Sequence, residues 1–324
     1  MKKFFKFLFS FIFVILCTLL TFYGAVNYVK YLVYNEFFTY KESVCLNPGL
    51  DEGFVPQGMA VVEDKDLYMT SGYMKDTSLP SRIYFVDPKT DEFYHVDTYK
   101  NNEAFTGHLG GVAYDDGFIY IASEDHVYPL SIDDVLNKDK IEIGEGIKVN
   151  NQASYVTASD GYVYVGEFHY GPYVCENKVE HDKGTYYAIC TKYSKDDLTT
   201  PLAIYSVPDK VQGFAIGEDG TIVLSTSWSV NSSQFFVYKQ ENIKENGTYK
   251  DTNAPLYILN NPSNVIDAPA MTEDLSYHDG YFYTMNESAC DKYIFGKFFF
   301  EYKIYRMKFK IKNKALLNWS AFKL

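Results

Sequence analysis

One segment recurs five times along this chain: a short apolar run, an acidic or glycine-bearing turn, then a run rich in aromatics. The copies read QGMAVVEDKDLYMTS from Gln57, GGVAYDDGFIYIAS from Gly110, SYVTASDGYVYVGE from Ser154, QGFAIGEDGTIVLSTS from Gln212 and EDLSYHDGYFYTMNES from Glu273. A strand–turn–strand unit cannot bury its apolar face alone, so the copies must stack on one another. Repeats at a period of about 45 to 60 residues that do so radially form a β-propeller, one repeat to a blade. The fold expected is therefore all-β: a single propeller, five-bladed, covering residues 53–310. Its blades run from about Gly53 to Tyr99, His108 to Val149, Ala153 to Val207, Val211 to Leu259 and Met271 to Lys310.

Each blade needs two further outer strands. In the first, SRIYFVD and EFYHVDTY flank the turn Asp87-Pro88-Lys89-Thr90-Asp91. SIDDVLNKDK reads as a helical turn in the second blade, and the polar stretch ENIKENGTYKDTNAP reads as a mobile loop in the fourth. Closing the ring removes the exposed edges of an open sheet. Closure calls for a strand borrowed from the opposite end of the chain, with Thr39 to Cys45 or Gly53 to Pro56 as donors. The 31 Tyr and 25 Phe lie mainly in these alternating runs, where aromatics suit a pleated, half-buried surface. Only those near loop ends, such as Tyr73 and Trp228, are candidates for stacking on a ligand.

Residues 1–34 differ from the rest. Lys2, Lys3 and Lys6 precede an uncharged run from Phe7 to Val29, long enough as a helix to cross a hydrocarbon core of about 30 Å. Tyr23 stands where a cleavage site would want a small residue. The segment reads as a cytoplasmic tip and uncleaved signal anchor, with secretion after cleavage as the alternative. The leading lysines place the N-terminus inside and the propeller outside the cell membrane. Residues 35–52 then read as a stalk and 311–324 as a C-terminal extension.

The anchor holds Lys2, Lys3, Lys6 and Lys30, so 26 of the 30 basic side chains remain beyond it against 42 acidic ones. An exported domain so acidic repels nucleic acid, whose binding depends on clustered Lys and Arg. Four cysteines lie outside the membrane span, and an oxidising compartment permits two disulfides; of the three possible pairings, Cys175–Cys190 with Cys45–Cys290 is the candidate that would staple the insertion and tie the entry of the ring to its last blade. The Lys-, Tyr- and Phe-rich composition is that of a bacterial protein.

Aligning the repeats gathers residues from distant parts of the chain. Gln57, Gly110, Ser154, Gln212 and Glu273 start the first strands, while Ser71, Glu124, Glu167, Ser227 and Glu287 end the second strands. Because the two strands run antiparallel, both sets belong to one face of the ring. That face is expected to collect Gln57, His108, Glu124, Glu167, His169, Gln212, Trp228, Glu273, Glu287 and Asp291. Glu273 needs a partner, since burying an unpaired charge is unfavourable. Carboxylates converging with amide oxygens could hold Ca²⁺, with Glu273 and Glu287 as ligands.

The strings VPQGMA (Val55 to Ala60), FTGHLGGVAY (Phe105 to Tyr114), PDKVQGFA (Pro208 to Ala215) and ESACDKY (Glu287 to Tyr293) resemble an uncharacterised family of exported bacterial β-propeller proteins. That resemblance implies the ring and its shared face, and transfers no catalytic residue. At the level of fold the chain also looks like five-bladed furanosidases of the arabinanase type and calcium-activated nucleotidases. A furanosidase needs an acid and a second carboxylate at defined separation, whereas two first-strand starts here are Gln57 and Gln212. A nucleotidase needs basic residues for phosphates, whereas Arg82 and Arg306 are the only arginines, with Lys210 and Lys292 as substitutes. No Walker loop, G-x-S-x-G, H-E-x-x-H or dinucleotide fingerprint is present. The function expected is binding of a small polar ligand, a glycan or cell-wall fragment. The alternatives are a calcium-dependent hydrolase of a phosphoester or glycoside and a protein-interaction scaffold.

Overall fold

The computed structural model describes every residue except Met1, Asp251, Ile294 and 310–324. The expected C-terminal extension thus lies outside the described residues. Those described form a five-bladed β-propeller preceded by one long apolar helix.

In each blade the repeat supplies the first two strands. These are Phe54–Val62 with Leu67–Met74, Gly111–Asp115 with Phe118–Ser123, Tyr155–Ser159 with Tyr162–Gly166, Val211–Ile216 with Ile222–Thr226, and Thr272–His278 with Tyr281–Asn286. The turns between them explain the recurring Asp-Gly. Asp116-Gly117, Asp160-Gly161 and Asp279-Gly280 have positive φ at both residues, as the tightest hairpin turn requires.

The first strands crowd the axis, and glycine permits the approach. A Cβ on Gly58 would sit 2.4 Å from the backbone nitrogen of Val112 in the next blade, and one on Gly111 would sit 2.5 Å from that of Val156. At the equivalent positions of blades three and five stand Tyr155 and Asp274, both wholly buried. Asp274 accepts a hydrogen bond from the Met59 amide at 3.3 Å, so its carboxyl ties the last blade to the first. Burial raises the Asp274 carboxyl well above its ordinary value, opposed by amides of Leu275, Met59 and Val112.

The ring closes with the N-terminal strand. Lys41–Leu46 pairs antiparallel with Lys303–Met307 as the outer strand of blade five. The short helix Asn35–Tyr40 packs there too: Phe37 is wholly buried, 6.3 Å from the Phe235 ring and 6.2 Å from that of Tyr305. Much of the segment expected as a stalk is therefore built into the propeller.

Outer strands depart from the expected layout at blade three. Lys244–Thr248 and Pro255–Ile258, within and beside the stretch expected as a mobile loop of blade four, join the edge of blade three, the latter parallel to Ala203–Val207. Leu256 and Ile258 thereby cover Val179, Ile189 and Ile204. Blade four takes Asn264–Ala268 as its outer strand instead. The expected helical turn of blade two is Ile132–Val135.

The expected disulfides are not formed: Cys45, Cys175, Cys190 and Cys290 are free, buried thiols. Cys45 packs among Met59, Val86, Tyr283, Met285 and Ile304, and the Cys175 thiol donates to the Phe168 carbonyl. The hairpin Val179–His181 with Gly184–Tyr186 staples the insertion by backbone pairing. Burial pushes the Cys45 and Cys175 thiols up to about 12 and Cys290 up to about 11, which keeps them protonated and unreactive.

The helix Lys2–Val33 buries none of its side chains and is long and apolar enough to cross a membrane. It is fastened at its end. Lys30 reaches Glu301 at 2.9 Å and Lys41 reaches the other oxygen of Glu301 at 2.7 Å. Burial favours the neutral acid, but Lys41 and Lys30 outweigh it and hold Glu301 below the usual carboxylate range. The same burial lowers Lys41 despite Glu301. The ionised cluster is thus held by two ammonium groups on one carboxylate, not by a single pair.

Candidate functional site

The face where first strands begin and second strands end opens into a cavity of about 1400 Å³. Gln57, His108, Glu124, Gln212, Trp228, Glu273 and Glu287 line it. The other three expected residues are placed otherwise. Glu167 is buried and accepts hydrogen bonds from the Asn177 side chain at 2.7 Å and from the amides of Ile189 at 3.0 Å and Gln152 at 3.3 Å. His169 accepts from the Cys175 amide and stacks on Tyr187. Asp291 is exposed and pairs with Lys297 at 3.0 Å.

The first and last repeats supply one wall. Glu287 accepts a hydrogen bond from the Gln57 side-chain amide at 2.8 Å. With its NH₂ so engaged, the Gln57 carbonyl oxygen accepts from His108 Nε2 at 2.5 Å. This fixes the imidazole tautomer, with the proton on Nε2. Tyr73 lies with its ring 4.4 Å from that of His108 and its hydroxyl 3.2 Å from that of Tyr293. Lys292 donates to the Tyr73 hydroxyl at 2.5 Å. The Tyr–Tyr–Lys cluster and the His–Gln–Glu chain thus form adjoining polar edges.

Two acids form the floor. Glu273 is 2 % exposed and Glu287 9 % exposed, and no hydrogen bond to the Glu273 carboxyl occurs among the described residues. Burial drives Glu273 well up, and the neighbouring Glu287 and Asp274 add to it. Burial also raises Glu287, to about 8, against the opposing effects of Lys292, Gln57 and Tyr293. Desolvation, with help from Lys292, lowers His108. Burial therefore favours the protonated acids on the floor and the neutral imidazole beside them, groups that both donate and accept hydrogen bonds.

The opposite wall is aromatic. Phe168 stacks on Trp228 with centroids 6.0 Å apart and planes at 26°, and Tyr173 meets the same indole edge-on at 6.2 Å. Phe168 and Tyr173, with Gln152, Tyr293 and Phe295, escaped sequence reasoning. Gln152 lies two residues ahead of its repeat. Tyr293 and Phe295 follow a second strand, so loops next to repeat ends were the available signal.

Among the described residues no group of three or more His, Cys, Asp or Glu side chains is gathered so as to hold a metal ion. A calcium ion at Glu273 and Glu287 would draw its remaining ligands from amide and hydroxyl oxygens and water.

No protein-family model matches the sequence, and no curated protein matches it. Among solved structures it is similar to the PQQ-bound form of aldose sugar dehydrogenase from Streptomyces coelicolor, at 13 % identity and TM-score 0.44, over 83 % of this chain and 80 % of that one. A second similar structure is described as an oxidoreductase (glucose dehydrogenase) of Thermus thermophilus, at 12 % identity and TM-score 0.39, over 76 % and 78 %. A third is a chain of a nidogen/laminin complex, at 10 % identity and TM-score 0.39, over 72 % and 73 %. At these identities the likeness is one of fold alone.

Proposed function

We propose that this chain is a membrane-anchored, extracytoplasmic propeller that binds a small polyhydroxylated ligand, a glycan or cell-wall fragment, in the cavity. One observation carries the reading: a floor of buried carboxyls and side-chain amides lies in one cavity with a stacked Phe168–Trp228 wall. Sugars present hydroxyls that donate and accept at their edges and C–H faces that pack on aromatic rings, which is the complement of those two walls. Burial of both Glu273 and Glu287 as acids works against calcium ligation and against an ionised base, so binding is favoured over hydrolysis.

The test is titration of the full chain in detergent with a panel of neutral oligosaccharides, followed by tryptophan emission and calorimetry. A ligand from the panel should bind, and Trp228→Ala and Gln57→Ala should each weaken it by about tenfold or more, a loss of about 1.4 kcal/mol. If a panel sugar binds and both variants bind it as tightly as the parent, the site is elsewhere.

A further inference from the structure

The membrane helix and the cavity share their supports. Tyr34, just past the helix, has its hydroxyl 2.9 Å from that of Ser232, and Lys30 in the last turn donates to the Phe300 carbonyl at 3.0 Å and to Glu301. Ser232 stands two residues beyond Val230, and Phe300 four beyond Gly296; both Val230 and Gly296 line the cavity. Four residues reach about 14 Å at most, so these stretches of the rim stay within that distance of Ser232 and Phe300, the two residues to which the helix end is bonded. Lys30 is also the first charge after the uncharged run, which marks where the helix leaves hydrocarbon.

The rim at that height is apolar and exposed. Phe295 is 73 % exposed, Phe298 59 % and Val230 55 %, and Phe295 and Val230 belong to the cavity lining. Aromatic side chains held at the end of a membrane span suit the lipid–water interface and gain nothing from open water.

We propose that the cavity mouth faces the bilayer and takes the uncharged saccharide headgroup of a glycolipid, its acyl chains remaining in the leaflet beneath the Phe295–Phe298 turn. This rests on the reading of the cavity as a site for polyhydroxylated ligands, and adds that the ligand is carried by lipid. The headgroup is uncharged because, among the described residues, Lys292 is the one Lys or Arg of the lining, set against Glu124 and Asp125, a poor match to phosphate. Entry from the membrane also removes a search in three dimensions, since anchor and ligand share one surface.

The full chain is reconstituted in phosphatidylcholine nanodiscs, with or without diglucosyl-diacylglycerol, and soluble diglucosylglycerol serves as the free headgroup. Phe298 does not line the cavity, so Phe298→Trp reports its depth: emission added over the parent should be quenched by phosphatidylcholine brominated near the headgroup. The glycolipid should change Trp228 emission, and Phe298→Ser should weaken that response by tenfold or more while leaving the response to diglucosylglycerol as in the parent. An unquenched Phe298→Trp, or a response to diglucosylglycerol with none to the glycolipid, overturns the lipid source and leaves the soluble-sugar reading standing. No response to either overturns both for this headgroup class.

Discussion

The floor of the cavity makes stability depend on pH in a direction opposite to that of most carboxylates. Glu287 has its carboxyl raised from 4.5 to about 8, so between those values the folded chain keeps a proton that the unfolded chain has released. The stabilisation is complete below about pH 4.5 and is lost as pH rises through about 8. From pH 5 to pH 9 that is about three units of differential protonation, or about 4 kcal/mol at about 1.36 kcal/mol per unit. Since Glu287 is buried, little is subtracted for screening by solvent. For a chain of this size, each kcal/mol corresponds to about 2 °C in melting temperature, so a fall of several degrees is expected. Glu287→Gln keeps the shape and an oxygen that can accept from Gln57, and cannot ionise. It should melt with a visibly shallower pH dependence, lying closest to the parent at pH 5 and above it at pH 9. Some slope should persist from Glu273, whose own rise is partly due to Glu287. Thermal melts by circular dichroism in detergent from pH 5 to 9 measure this. Parallel curves for parent and variant would refute a protonated floor, and with it the hydrogen-bonding character assigned to the cavity.

Three further perturbations probe the frame around the site. Gly111→Ala forces a Cβ to 2.5 Å from the Val156 nitrogen; overpacking of this kind should cost about 1–3 kcal/mol, and an unchanged melting temperature would contradict the close approach of blades two and three. Asp274→Ala leaves the buried Met59 amide without its acceptor, for an expected loss of about 1–3 kcal/mol, read by chemical denaturation. Glu301→Gln strands two largely buried ammonium groups, so a loss of about 3–5 kcal/mol is expected. Because Glu301 is held below the usual carboxylate range, its stabilisation is present above the unfolded pKa and lost as pH falls through the folded one. The parent should therefore destabilise on acidification below about pH 4.5 by a component that Glu301→Gln lacks.

The ring was legible because it is made of local pattern: alternation of period two, and Asp-Gly pairs whose left-handed geometry can only turn a hairpin tightly. The shared face followed from antiparallel pairing alone, which is why Gln57, Gln212, Glu273 and Glu287 lie round one cavity. Where loops fold back, the alignment had no purchase. Glu167 and His169 follow the second strand of blade three, yet backbone amides of their own blade and its insertion claim both side chains. Sheet edges were equally opaque: nothing local to Pro255–Ile258 says that it will run parallel beside blade three, since that choice is made by apolar cover for Ile189 and Ile204. The differences among repeats proved as instructive as their likeness. Glycines at positions 58, 111 and 213 let blades meet, and the two repeats without one place Tyr155 and Asp274 at the crowded centre. A ring of five equal blades would present the same groups in every direction and could not orient a ligand. Here an acid starts one first strand where amides or small residues start the others, and the stacked Phe168–Trp228 pair of blades three and four lies away from the Gln57 edge of blade one. That asymmetry, written into the repeats as exceptions, is what turns the end of a propeller channel into a pocket with a polar side and an aromatic side.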